Sequence, residues 1–116
     1  MSNQIYKIEI TTKHNKIGML RDAYFKEGIT GMTIINVSGQ GNQKGKVEIY
    51  RGSQITANLM PRIRVEIIAK EEDVERIKDI ALKTLASGQV GDGKIVILPV
   101  ADVIRIRTGQ SGYEAI

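Results

Sequence analysis

Lys94, Arg105 and Arg107 are the side chains of this sequence best suited to hold an anion. Lys94 follows a glycine-rich turn in "SGQVGDGKIVILPV", residues 87–100, where Gly88, Gly91 and Gly93 surround Asp92. Glycine lets a backbone approach a ligand closely and present its N–H groups, so Gly91, Gly93 and the lysine after them make a nest for phosphate. The spacing G-x-x-x-x-G-K from Gly88 to Lys94 is most of a P-loop, but Ile95 stands where that motif needs a hydroxyl for magnesium. The order is also reversed, because this turn leaves a helical pattern and enters a strand. In "VIRIRTG", Arg105 and Arg107 lie two apart on what reads as a short strand. Both side chains then leave the same face, with Cα atoms about 6.5–7 Å apart. Guanidinium forks at that spacing suit two groups of a polyphosphate. An isolated R-x-R pair would be a solvated strand face. The glycine turn and Lys94 favour an anion nest, formed at one sheet edge or across an oligomer interface. Asp92, between two glycines, reads as a turn residue rather than an acid or base.

The composition narrows the chemistry. The 116 residues fit one domain, residues 1–116, and the 41% hydrophobic and 26% charged content is that of a soluble globular chain. A net charge of +4 favours anionic partners, yet no run of like charges marks a nucleic-acid arm. There is no cysteine, so thiolate chemistry and disulfides are excluded, and the single His14 argues against zinc. "MSNQIYKIEI" lacks a leader pattern and no apolar run is long enough to span a bilayer, so the expectation is a cytoplasmic protein without membrane insertion. No nucleophile–base pair is visible.

The elements that must position these residues follow from periodicity. "IYKIEITT", residues 5–12, alternates as a strand, with Tyr6, Ile8 and Ile10 apolar. Asn15 is placed to cap a helix reaching about Glu27, with Ile17, Leu20 and Tyr24 on one stripe and Gly28 as its stop. "GMTIINVSG" is a second strand, apolar on both faces: Ile34 on one, Ile35 and Val37 on the other. "RIRVEIIAK" is a third, with Ile63, Val65 and Ile67 inward. "EEDVERIKDIALKTLAS" is the clearest helix: Glu71, Glu72 and Asp73 suit its N-terminus, and Val74, Ile77, Ala81 and Leu85 form a stripe. "KIVILPV" gives a fourth strand and "VIRIRT" a short fifth. The order predicts an α+β, ferredoxin-like βαββαβ sandwich with two helices on one sheet face. Apolar side chains on both faces of the second and fourth strands predict sheet-against-sheet packing in a symmetric oligomer. Residues 39–61 are longer than the roughly 12–15 residues of an ordinary loop. With four glycines, a weak strand-like "KVEIY" and an apolar hook at Leu59–Met60, this segment reads as a mobile arm that touches a partner, or as plain disorder, with a hairpin expected at its base.

"GDGKIVILPV" followed by "VIRIRTG", with "GITGMTIINVSGQG" and "QKGKVEIYRG" upstream, resembles the P-II signal-transduction proteins, collinearly from Ile5 to Ile116. The resemblance implies a homotrimer binding ATP or ADP in three clefts between subunits. It names the segment 39–61 the T-loop, which docks on a membrane transporter or a nitrogen-metabolism enzyme, and leaves 87–94 as the phosphate loop and 103–116 as the C-terminal strand and tail. By position, Gly31, Met32 and Thr33 lie near adenine and ribose, and Ile68 forms a wall. Gly39, Gly41 and Gln43, at the start of the T-loop, also belong to the nucleotide site, and Gly91, Asp92, Gly93 and Lys94 face the phosphates. Arg105 and Arg107 reach in from the neighbouring subunit. Magnesium could accompany ATP.

The sequence departs from the family pattern in informative places. Ile55 occupies the position of the tyrosine modified in many members, and an aliphatic side chain has no oxygen to accept a nucleotidyl group. Tyr50 remains, and Ser53 aligns with a serine phosphorylated in some members. Arg51 matches an arginine that enters a channel pore in some members. The family's 2-oxoglutarate site uses a T-loop glutamine, matched by Gln43, and a lysine, here Arg62. "TTKHNK" replaces a Lys-Pro-Phe-like run, and Gln40 stands where an aromatic is frequent. ATP and ADP are therefore expected to bind without 2-oxoglutarate. The alternative is a conventional nitrogen sensor that also binds 2-oxoglutarate with magnesium-ATP and acts on an ammonium transporter. An RRM-like RNA-binding module shares the element order but needs stacked strand aromatics, which one Phe and four Tyr do not supply.

Overall fold

The computed structural model describes residues 3–40, 46–50, 53–57 and 59–116, the second and third of these stretches for their backbone alone. Gly41, Gln43 and Arg51 lie outside the described residues. Strand β1 (Ile5–Lys13) is followed by a 3₁₀ turn (His14–Lys16) and helix α1 (Ile17–Lys26). Then come β2 (Thr33–Gln40), β3 (Lys46–Tyr50), β4 (Ser53–Ala57), β5 (Leu59–Lys70), α2 (Glu71–Leu85), β6 (Lys94–Val100) and a 3₁₀ turn (Gly112–Ala115). The main sheet is antiparallel in the order β2-β5-β1-β6, and β3 and β4 pair only with each other. Apart from that inserted hairpin, this is the expected βαββαβ sandwich.

The core lies between the helices and one face of the sheet. Ile8 and Ile10 from β1 and Val65, Ile67 and Ala69 from β5 meet Leu20, Tyr24, Ile77, Ala81 and Leu85 from the helices. The inward set Ile63, Val65 and Ile67 is buried as its alternation predicted, and so are three of the four stripe residues of α2, with Val74 packed at the edge. Tyr24 ties the two helices together: its hydroxyl donates to the Ile77 carbonyl at 2.8 Å. Burial pushes its phenol pKa up, so the donor stays protonated. Gly28 ends α1 as expected, at φ +77°, a conformation that favours glycine.

Three expectations are corrected. The predicted fifth strand does not form: "VIRIRT" makes one isolated bridge, Ile104 with Ser111, and the chain turns back where the Gly109 N–H reaches the Arg105 carbonyl at 2.7 Å. Gly109 sits at φ +72°, so the backbone reverses where the alternating pattern suggested extension. Asn15 does not cap α1; it lies in the 3₁₀ turn, and the helix begins at Ile17 without a side-chain cap. The segment 39–61 is not mostly loop: β2 continues to Gln40, β5 starts at Leu59, and the hairpin from Lys46 to Ala57 lies between them rather than at the base. Cross-strand hydrogen bonding, to which the polar composition of this stretch is no barrier, extends both strands.

The uncovered face has a polar centre between the apolar side chains expected of the second and fourth strands. Register places Lys7, Glu9 and Thr11 of β1 beside Arg64 and Glu66 of β5. Ile35 and Val37 lie on one flank, and Val96 and Leu98 on the other. Glu9 stands directly opposite Glu66, a repulsive pairing. Lys7 relieves it, with Nζ at 3.4 Å from Glu9 and 3.1 Å from Glu66, and these contacts raise the Lys7 pKa. Tyr24→Phe should lower stability by about 1 kcal/mol, the net worth of one buried hydrogen bond. Urea unfolding monitored by circular dichroism checks it; an unchanged midpoint would show that this bond does not hold the helices together.

Candidate phosphate-binding site

The glycine loop is built around Asp92. Its carboxylate accepts the backbone N–H groups of Ser87, at 2.7 Å, and Gly88, at 3.1 Å, and also the Ser87 hydroxyl. These bonds lower its pKa, Ser87 contributing most, with smaller help from Gly88 and Lys13. Asp92 is thus a loop clasp, and its negative charge is occupied by the loop's own donors. The Asp92 carbonyl accepts the hydroxyl of Thr12, one of the few fully buried polar side chains, at 2.8 Å. Gly93 comes so near β1 that a Cβ would stand 1.9 Å from the Thr11 carbonyl oxygen, and its φ is +108°. Only glycine fits there, which fixes where Lys94 begins β6, opposite Thr11.

Lys94 is exposed and makes no ion pair among the described residues. Two further cations converge on Gly91. The Arg62 guanidinium donates to the Gly91 carbonyl at 3.3 Å, and Lys13 and Arg62 would both meet a Cβ built on Gly91, at 3.3 and 3.5 Å. The stem of Arg62 crosses Gly39, where a Cβ would lie 3.0 Å from Arg62 Cγ. Arg62 therefore bridges the start of the segment 39–61 and the glycine loop. Sequence reasoning missed Lys13 here; the signal was its register, since Lys13 lies directly opposite Arg62. A cavity of about 310 Å³ opens beneath the loop, between α2 and β6, lined by Ile10, Ala81, Leu82, Leu85 and Ile97, with Gly93 and Lys94 at its rim.

The other candidate residues lie elsewhere in the chain. Gly31 and Thr33 are exposed and Met32 packs at the core's edge. Thr33 starts β2, at the opposite edge of the sheet from Lys94, three strand spacings or about 14 Å across and two residues further along the strand direction. Ile68 is half-buried on the uncovered face, opposite Lys7. Arg105 and Arg107 do not share a strand face: Arg105 bonds the carbonyls of Ala115 and Ile116, at 3.5 and 3.3 Å, while Arg107 lies in the exposed turn. Tyr50 and Ser53 are cross-strand partners where β3 meets β4. A single chain thus holds the parts of the proposed cleft on separated surfaces. Among the described residues no group of His, Asp or Glu is arranged for a metal, and no helix is long and apolar enough to cross a membrane.

A four-stranded antiparallel sheet covered by two helices places the chain among the small ferredoxin-like α+β proteins. The family model for nitrogen regulatory protein P-II matches residues 5–110. The nitrogen regulatory protein P-II of Pyropia yezoensis is 43% identical over 110 residues, covering 95% of this chain and 98% of that protein. Nitrogen regulatory protein P-II 1 of Escherichia coli K12 is 41% identical with the same coverage. The structure of a B. subtilis GlnK–ATP complex superposes with a TM-score of 0.81 at 35% identity, covering 100% of this chain and 99% of that one. Arabidopsis thaliana PII bound to citrate superposes with a TM-score of 0.76 at 31% identity, covering 97% of this chain and 92% of that one. The chain belongs to the P-II family, whose members are regulatory signal-transduction proteins and not enzymes.

The clasp predicts a pH dependence with a definite sign. Because folding depresses the Asp92 pKa, the loop's stabilisation is present above the unfolded value of about 3.9 and is lost as pH falls through the depressed folded value. Amide exchange at Ser87 and Gly88, taken relative to an unstructured amide at the same pH, should stay slow at neutral pH and become faster on acidification. Asp92→Asn should make it fast throughout; persistent protection in that variant would show that the carboxylate does not hold the loop.

Proposed function

We propose that this protein is an adenine-nucleotide-responsive P-II regulator. It assembles as a homotrimer, binds ATP or ADP in clefts between subunits, and uses the T-loop to control a membrane transporter or a nitrogen-metabolism enzyme. The observation that carries this reading is Lys94, exposed and without an acidic partner among the described residues, at the end of a loop whose own carboxylate is already satisfied. The separation of Thr33 from Lys94 in one chain supports a cleft completed by a second subunit. There Gly31, Met32, Thr33 and Ile68 would hold the base and ribose, Gly91, Gly93 and Lys94 the phosphates, and Arg105 and Arg107 would come from the neighbour. Magnesium could accompany the ATP phosphates. Arg51 and Tyr50 remain candidates for the partner contact and Ser53 for modification; Ile55 has no oxygen to modify.

Arg62 supports nucleotide binding that does not depend on 2-oxoglutarate, since a planar fork stands in place of the family's lysine and leans on the Gly91 carbonyl. Calorimetric titration of ATP, ADP and 2-oxoglutarate, separately and together, tests the whole reading. ATP and ADP should each bind, without turnover, and 2-oxoglutarate should add at most weak synergy. A charge-assisted hydrogen bond is worth about 1.5–3 kcal/mol, so Lys94→Ala should weaken ATP binding by roughly tenfold or more. Unchanged affinity in that variant would remove Lys94 from the site. A large gain in ATP affinity with 2-oxoglutarate and magnesium would instead favour the conventional nitrogen sensor.

A further inference from the structure

We infer that the C-terminal segment is a built-in competitor for Arg105, clamped by Tyr113, and that nucleotide must displace it. This inference rests on the proposed role of Arg105 in a neighbour's phosphate site. The segment is closed on itself by several independent contacts. The Asp102 carboxylate accepts the N–H groups of Val103, at 2.8 Å, and Gly112, at 3.0 Å, and the Gly112 N–H also reaches the Val103 carbonyl at 3.1 Å. Gly112 sits at φ +67°, which directs the following residues back over the start of the chain. There the Tyr113 hydroxyl donates to the Gln4 carbonyl at 3.1 Å. It also accepts the Glu71 N–H at 3.3 Å, a donor shared with the Gln4 carbonyl at 3.2 Å, so the tyrosine joins the contact between the start of the chain and the start of α2. Lys70 Nζ lies 5.4 Å from the centre of the Tyr113 ring. Ala115 is buried.

This docking delivers two main-chain oxygens, those of Ala115 and Ile116, to one nitrogen of the Arg105 guanidinium. Both acceptors lie at long range and on one nitrogen of the fork, and a phosphate offers several oxygens at closer range to the whole guanidinium. Arg107, two residues on, makes no hydrogen bond or ion pair among the described residues and needs no such release. Apparent affinity falls by the fraction of molecules in which the binding-competent state is populated. If the tail holds Arg105 in about nine molecules of ten, freeing it gains about tenfold. Tyr113 is a positioning residue in this scheme, since it acts on the arginine through the tail.

The test compares ATP binding by calorimetry in the intact chain, in Tyr113→Phe and in a chain ending at Gly112. Tyr113→Phe removes only the hydroxyl and keeps the ring over Lys70, so it reports even where the shortened chain is unstable. Both variants should bind ATP about threefold to tenfold more tightly than the intact chain. Hydrogen exchange should also quicken at Gly112 and Ile116 of the intact protein when ATP is added, an effect that Lys94→Ala should blunt. Unchanged or weaker ATP binding in Tyr113→Phe, or slower exchange of the tail with ATP, would overturn the inference while leaving the proposed function standing. Absence of ATP binding in the intact chain and both variants would overturn the two together.

Discussion

The approach of Gly93 to the Thr11 carbonyl is the contact on which the candidate site depends. At that separation no side chain other than hydrogen can be accommodated, and the Thr12 hydroxyl seals the neighbouring Asp92 carbonyl to the same strand. The glycine loop is therefore an extension of the central strand β1 rather than a free connection between α2 and β6. Asp92 completes the arrangement from the other side, gathering Ser87 and Gly88 at the end of α2. Helix end, loop and strand become one rigid frame, and Lys94 leaves it in a defined place. Preorganisation of this kind lowers the cost of ordering a cationic site when its anion arrives.

The uncovered sheet face shows a second constraint, one of charge rather than space. Opposed carboxylates at Glu9 and Glu66 are tolerable because Lys7 reaches both, with Arg64 at 3.9 Å from Glu9. A charged strip bordered by Ile35 and Val37 on one side and Val96 and Leu98 on the other is poorly suited to stacking on a flat apolar partner. It suits an assembly in which the apolar borders meet and the charges face inward, where water can remain. Under the proposed function, subunits would join along these borders, bringing the β2 edge of one chain towards the loop of another.

Much of the architecture was legible from periodicity. Alternation in "RIRVEIIAK" and the stripe from Val74 to Leu85 state which side chains are buried, because a period of two or 3.6 admits one inward face. Asp92 was legible as a turn residue from its flanking glycines. What escaped notice depends on tertiary register. Alternation in "VIRIRT" is genuine, yet a strand also needs a partner, and β6 pairs only with β1. Left without a neighbour in its own chain, the segment turns at Gly109, and the two arginines take different surroundings. Lys13 was invisible as a site residue because its nearness to Gly91 arises from a sheet register that pairs it with Arg62, far away in the sequence. Residues 39–61 misled in the opposite direction: glycines and charges read as loop, but backbone hydrogen bonding is available to any sequence that two strands can bring into line.

Arg62 shows how a loop and a distant segment can share one equilibrium. Its stem occupies the space above Gly39, and its guanidinium rests on the Gly91 carbonyl. Any rearrangement of the glycine loop must alter what Arg62 touches, and any movement at Gly39 must shift the stem from which that guanidinium hangs. A ligand acting on the loop can bias the T-loop only through a difference in interaction free energy between its states. An arginine makes that difference directional, since its planar fork retains a bond only over a narrow range of orientations, where a lysine would follow the carbonyl as a rotating point charge. Under the proposed function, the arginine at position 62 would thus connect the glycine loop to the start of the segment 39–61, and nucleotide alone would suffice as the signal.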